Sequence, residues 1–200
     1  MVRHLNSIIF YITDRSAEVE VEDGTKIPDA ALVSDDISRQ SPLAAVEVGF
    51  TETLDKLFND AERLLRSSCD LVILLKVFET EPHRKDEFPW GIEPSTVANL
   101  RKLHHQKKLA PAILDYYDAN GLPLLGNLDV HLYICPKGQK RRPTKPSYRL
   151  KQTGIKQLRV RIQGRLFNLP IESLEDALEK ATRVERNRRI YKLIRKASIS

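Results

Sequence analysis

The chain has little sulfur. Its 200 residues hold two cysteines, Cys69 and Cys135, and one methionine, so neither a disulfide framework nor a cysteine-rich metal site is available. A reducing, intracellular setting is the simplest home for two such thiols. Glycine is scarce, with 8 residues, and none falls into a phosphate-cradling loop. HExxH and Gly-x-Ser-x-Gly are also missing, so nucleotide hydrolysis, zinc proteolysis and serine hydrolysis have no support. The apolar run Ile8 to Ile12 is too short for a signal peptide or a membrane span. Acids are missing altogether between Asp129 and Glu172.

Charge, by contrast, is plentiful and divided by sign. Residues 1–100 carry 10 Lys and Arg against 19 acids, and residues 101–200 carry 23 against 8. Positions 137–165 concentrate 11 of those cations. The first part of that stretch contains Pro143 and Pro146 and reads as a loop. The second alternates Leu158, Val160 and Ile162 with Arg159, Arg161 and Gln163, a strand with one cationic face. Lys140, Arg141, Arg142, Lys145, Arg159 and Arg161 therefore form a candidate surface for a phosphate backbone. The same loop has the composition of a nuclear import signal, and a plain solvated loop accounts for it equally.

The acidic half is built of short strands. Ala17 to Glu22 alternates valines with glutamates, and Asp23-Gly24 after it is a hairpin signal. With Glu22 opposite Thr25, Glu18 faces Asp29. The next strand, KIPDAALV, meets the polar loop Ser34 to Ser41, and PLAAVEVGF returns antiparallel. Pairing Val33 with Leu43 sets Asp29 opposite Glu47. Glu18, Asp29 and Glu47 then share one row, with Ala31, Ala45 and Gly49 bordering open space and Val19, Val21, Ala30, Leu32, Val46 and Val48 on the packing face. Like charges so placed repel. A hard divalent cation, Mg²⁺ or Mn²⁺, would hold them together through oxygen ligands. Proton sharing, or a ladder slipped by one residue, are the alternatives.

Thr51 can cap a helix running to Ser67, with Leu54, Leu57, Phe58, Ala61, Leu64 and Leu65 on one stripe and Lys56 turned to solvent. The apolar strand Asp70 to Glu79 follows, and a helical crossover of this length implies a parallel neighbour. Lys76 interrupts that strand, as a cation directed at the carboxylates or as one snorkelling from the strand end. Lys26 stands an odd number of positions from Asp29, which on a continuous strand assigns it to the other face. Residues 79–95 read as an excursion with a solvated His83. A helix capped by Ser95 or Thr96 is expected to stop at Pro111, and neighbouring His104 and His105 make a poor chelate. Asp118, Asn120 and Gly121 read as a turn, Leu128 to Cys135 as a strand, and Ile171 onward as a helix with the stripe Leu174, Leu178, Ala181 and Val184. Acids open this last helix and cations close it, so Arg186 to Lys196 suit its dipole and need not bind anything.

Pro28-Asp29, Glu47-Val48-Gly49, and the helix and strand after them together resemble the core of the PD-(D/E)XK nuclease superfamily, in a form found in uncharacterised fungal proteins. The match in PLAAVEVGFTETLDKL is to a pattern P-x-x-x-x-E-V-G-(F/Y)-(S/T) followed by a Leu-rich helix. The resemblance implies an α/β fold with a restriction-endonuclease-like core: a three-stranded meander, a crossover helix and a parallel fourth strand, over residues 1–136. Added helices and a basic extension over 137–200, with a strand and a C-terminal helix, complete it. It implies Asp29 and Glu47 as metal ligands for Mg²⁺ or Mn²⁺, with the Val48 carbonyl as a third. The family's catalytic Lys stands two residues after the Glu, where this chain has Gly49. Lys76 is the candidate substitute, and Glu18 a further ligand. Members usually have a helix before the first strand, so a chain beginning this close to Ala17 reads as truncated.

The expected function is metal-dependent hydrolysis of phosphodiester bonds in nucleic acid, with DNA the partner and no membrane involved. A non-catalytic nucleic-acid-binding protein on the same scaffold is the second reading. A domain whose basic tail meets an acidic protein partner is the third.

Overall fold

The computed structural model describes residues 8–11, 18–34, 42–67, 69–80, 98–99, 102–103, 108–121, 124–150, 157–162 and 164–196. The expected loop at 35–41, His83, the cap at Ser95 or Thr96, and His104 and His105 lie outside them.

The chain is α/β, and its central element is a mixed sheet. The strands β1 (Ile8–Tyr11), β4 (Ala30–Ser34), β5 (Ala44–Gly49), β6 (Leu71–Thr80), β7 (Asn127–Pro136) and β8 (Tyr148–Arg149) lie in the order β1-β4-β5-β6-β7-β8. The β4–β5 pair is antiparallel with Ala30 opposite Val46 and Leu32 opposite Ala44, the register expected from the sequence. The expected parallel neighbour is β6, which sets Glu47 beside Leu74 and Gly49 beside Lys76. Strands β2 (Val19–Val21) and β3 (Gly24–Lys26) form a separate hairpin. The outer neighbour of β4 is thus β1, and the strand at 19–21 is not part of a continuous meander.

Helix α1 (Leu54–Arg66) is the crossover. Its cap is Thr53, one turn-residue pair later than Thr51, because the Thr53 hydroxyl accepts from the Lys56 N–H at 3.2 Å. Leu57, Phe58, Ala61 and Leu64 are buried with Ala45, Val72, Leu74, Tyr133 and Cys135. Burying one such large apolar side chain contributes roughly 1.5–3 kcal/mol, so α1 is fixed by this stripe. It also corrects the expected open border: Ala31 and Ala45 are fully buried. On β7, Tyr133 and Cys135 are buried because α1 covers that face, with Phe58 edge-on to Tyr133.

Pro111 does not end a helix. It lies in the first turn of α2 (Leu109–Ala119), where its missing N–H has no intrahelical partner to lose. Asn120 and Gly121, the latter at φ +62°, close α2 as the expected turn. Strand β9 (Gln157–Ile162) pairs with β10 (Arg165–Pro170). Leu158, Val160 and Ile162 are buried while Arg159 and Arg161 are exposed, as the alternation requires. Helix α3 (Ile171–Lys196) follows. Its stripe departs from expectation at Val184, which is 61% exposed, and Glu185 is buried in its place.

Two compact units divide the chain: residues 1–78 with 129–181, and residues 79–128 with 182–200. In the second, Leu109, Ile113, Tyr117, Leu124, Ile190, Leu193 and Ile194 form the core. Arg189 there bonds both oxygens of Glu79, at 2.7 and 2.6 Å, and the Leu124 carbonyl at 2.8 Å. Arg186 pairs with Asp118. These basic residues of α3 therefore have structural partners. No described helix is long and apolar enough to cross a membrane.

Candidate active site

The first unit brings Asp29 and Glu47 together at the start of β4 and the end of β5. The Asp29 N–H donates to the Val46 carbonyl at 3.0 Å, although Val46 is already the partner of Ala30, the last pair of the ladder, so Asp29 lies beside β5 one residue out of the expected register and not directly across from Glu47. One oxygen of Asp29, Oδ2, accepts from the Val48 N–H at 2.7 Å. Burial raises the Asp29 carboxyl above its ordinary value, with the Val48 N–H opposing that.

Glu47 is more perturbed. It is 9% exposed, and its Oε1 is buried without a hydrogen-bond partner among the described residues. Burial pushes its carboxyl from 4.5 up to about 8, against the pull of Lys26 and with the Asp29 and Asp60 charges pushing further. An ionised carboxylate with an orphaned oxygen in such a place is costly, so Glu47 holds a proton at neutral pH in the absence of another cation.

The cation closest to it is one that strand parity had turned away. Lys26 Nζ lies 3.5 Å from Glu47 Oε2 and 3.1 Å from Asp60 Oδ2. Parity fails because no continuous strand joins Lys26 to Asp29: β3 ends at Lys26 and β4 begins at Ala30. Pro28 between them lacks the N–H a ladder needs, and its fixed φ reorients the chain. Asp60 had no sequence signal of its own. It enters because α1 lies over the hairpin, where Val19 packs with the α1 stripe and Arg63 binds the Asp23 carboxylate at the hairpin tip.

That docking also corrects the hairpin register. Val19 faces Lys26, Glu20 faces Thr25 and Val21 faces Gly24, so the turn is Glu22-Asp23 and not Asp23-Gly24. Continuing the ladder places Glu18 opposite Ile27. Glu18 is exposed and does not join the Asp29–Glu47 row.

Lys76 is buried at 7% exposure, but its ammonium donates to the backbone carbonyls of Phe50 at 2.9 Å and Glu52 at 2.6 Å. It ties down the loop between β5 and α1. Burial lowers its affinity for a proton. At Gly49 a side chain has no room, since an added Cβ would overlap the Leu57 methyl groups. The position two residues after Glu47 is filled from α1.

The basic candidates divide. Lys140, Arg141, Lys145, Arg159 and Arg161 are exposed. Arg142 instead lies on α1, where its Nε meets Glu62 Oε1 at 2.7 Å, its Nη2 meets Asn59 Oδ1 at 2.5 Å, and its guanidinium stands 5.7 Å from the Phe58 ring centre.

Two carboxylates are a sufficient protein contribution for Mg²⁺, which keeps several waters. The orphaned Oε1 of Glu47 and the free capacity of the Asp29 carboxylate supply hard oxygen donors, so the pair fits such an ion. Among the described residues no cluster of three or more His, Cys, Asp or Glu forms a fuller cage. No family model, curated protein or solved structure matches this chain.

Proposed function

We propose that the chain is a metal-dependent nuclease-like protein that hydrolyses phosphodiester bonds of nucleic acid, on a restriction-endonuclease-like core of the PD-(D/E)XK kind. The observation that carries this reading is the buried Glu47 carboxyl with an unsatisfied oxygen, close enough to Asp29 to feel its charge, with Asp29 bonded to the N–H of the next residue, Val48. Asp29 and Glu47 would hold a Mg²⁺ or Mn²⁺ ion, which when bound supplies an activated water and charge neutralisation at a phosphate. Val48 orients Asp29 through its N–H. Lys26 supplies the cation at the carboxylates that Gly49 cannot, and Asp60 holds Lys26 in place. The exposed cations of the 140–145 loop and of β9 provide a sequence-independent attraction for the phosphate backbone.

A second reading has an observation of its own. Lys26 already stands between Glu47 and Asp60, at 3.5 and 3.1 Å, and a fixed ammonium in that position can stand in place of a metal ion. In that reading the protein binds nucleic acid without cleaving it. Plasmid cleavage by the purified protein with Mg²⁺ or Mn²⁺, compared with Asp29→Ala, separates the two. Metal-dependent nicking lost in Asp29→Ala supports the nuclease. Binding without nicking, in both proteins, supports the second reading.

A further inference from the structure

Between α1 and the turn that follows β7 lies a groove of about 410 Å³, within the range of small-ligand sites. It does not share residues with the Asp29–Glu47 pair. Ala61, Leu65 and Cys135 contribute an apolar floor, while Arg66, Lys140 and Arg141 contribute cations at the rim. Its acid, Glu62, is already bound by Arg142 at 2.7 Å. Arg142 also grips Asn59 at 2.5 Å and covers Phe58, so it pins the turn to the helix and forms the groove's wall. Gly138, at φ +82°, lets the chain make the turn that lines the groove. Arg66 is drawn to Glu22 at 3.8 Å, so the charge that remains unmatched in the groove is positive and is that of Lys140 and Arg141, beside a surface that has no use for charge.

An occupant must offer an anion and an uncharged flat or apolar body a few ångströms apart. A nucleotide does so through its phosphate and base. In a duplex the base is stacked and paired, and the outer surface presented to a protein is mainly phosphate. In a single strand the base can leave the stack and enter a pocket. We propose that this groove takes one unpaired nucleotide, so that the chain binds single-stranded nucleic acid, or the single-stranded part of a junction, in preference to duplex. The base lies on the Ala61–Leu65 floor and its phosphate meets Lys140 and Arg141. This rests on the nucleic-acid reading above but not on cleavage.

The test is binding of a fluorescent octathymidylate and of a fluorescent hairpin duplex with the same number of phosphates, by anisotropy at about 50 mM salt. The expected result is a preference of about tenfold or more for the single strand, the size of one stacked base. Lys140→Ala with Arg141→Ala should weaken both ligands and lower the salt slope by about one to two. Leu65→Trp, which fills the floor, should remove the preference while sparing the duplex. Gln139→Trp fills the groove from the exposed turn and serves the same purpose if the helix variant folds poorly. Equal affinity for the two forms, or a preference that survives both filling variants, overturns the proposal. So does equal binding of an acidic pentapeptide with a central phenylalanine, which would assign the groove to a protein partner, and so does binding of neither nucleic acid. Cleavage and the metal response of Asp29 and Glu47 are read in separate assays, so the nuclease reading stands or falls apart from these results.

Discussion

Replacing Glu47 with glutamine tests the electrostatics of the site most directly. The carboxyl rises from 4.5 in the unfolded chain to about 8 in the fold, chiefly through burial. The folded state therefore binds this proton more tightly than the unfolded state does. The stability Glu47 contributes is complete below about pH 4.5 and is lost as pH rises through about 8. A shift of that size, at about 1.4 kcal/mol per pH unit, corresponds to about 4–5 kcal/mol between pH 4.5 and pH 9. Glutamine keeps the shape of the protonated acid and cannot ionise. Glu47→Gln should thus match the wild type below about pH 4.5, gain on it steadily from there to about pH 8, and keep a constant lead above that.

The assay is urea unfolding from pH 5 to pH 9 with a chelator present, taken as the difference between the two proteins. Other groups cancel in that difference. Asp29, also raised by burial, adds a loss of the same sign to both proteins. Asp23 and Glu62, lowered by hydrogen bonds from Arg63 and Arg142, act at acid pH in both. The denaturant slope should not change, because the surface exposed on unfolding is the same. Lys26→Met should extend the loss to higher pH and enlarge it, since it removes the cation that opposes the rise and so favours the proton still more, making ionisation costlier. Parallel stability curves for wild type and Glu47→Gln would refute the reasoning, because they would mean that Glu47 is solvated in the fold.

Further outcomes follow from the same geometry. A divalent ion that binds the folded pair should raise the melting temperature, by about 2.7 kcal/mol of stability at a hundredfold excess over Kd. Asp29→Asn and Glu47→Gln should each abolish this while Glu18→Gln leaves it intact. Mn²⁺ affinity should rise with pH up to about 8, since Glu47 must release its proton to bind, and calorimetry in buffers of different ionisation heat reads that proton directly. Gly49→Ala should destabilise by roughly 1–3 kcal/mol in urea, through overlap with the buried Leu57. Lys76→Met removes donors from the Phe50 and Glu52 carbonyls and should cost about 1–3 kcal/mol with the metal response retained. Loss of cleavage without loss of stability would instead assign Lys76 the catalytic cation. Arg159→Ala with Arg161→Ala should reduce the salt dependence of nucleic-acid binding by about two, whereas Arg142→Ala, already paired on α1, should reduce it by less than one.

The β4–β5 ladder and the parallel β6 were legible because each strand has an apolar centre and its connection sets the pairing, a loop too short for anything but a return in one case and a helical crossover in the other. The α1 stripe was legible because its apolar residues recur at helical spacing. What the alternation missed lies where a rule of regular structure is interrupted. Lys26 was assigned to the far face by counting through Ile27, Pro28 and Asp29 as though they were strand, and the proline that breaks the count was itself visible. Pro111 was read as a stop when it stands in a first turn, since Pro is tolerated at either boundary of a helix. Val184 was counted as a core position because its spacing from Leu174 and Ala181 is helical, yet it is exposed and Glu185 is buried beside Arg189, an exchange that only the ion pair makes affordable.

Gly49 unites these lessons. The sequence shows that the residue two after Glu47 carries no side chain, which by itself reads as a loss. The structure gives the cause: β5 and α1 approach so closely that the Leu57 methyl groups stand where a Cβ would be, and Leu57 is fully buried there. No cation can be supplied to the carboxylates from that point of β5 without displacing the buried Leu57 side chain. The one in contact with Glu47 comes from outside the sheet, from the end of the β2–β3 hairpin, held by Asp60 of the same helix that closed the usual route. A substitution of Gly49 by lysine should therefore unfold the site and not restore a cation to it, and the position that governs the charge beside Glu47 is 26.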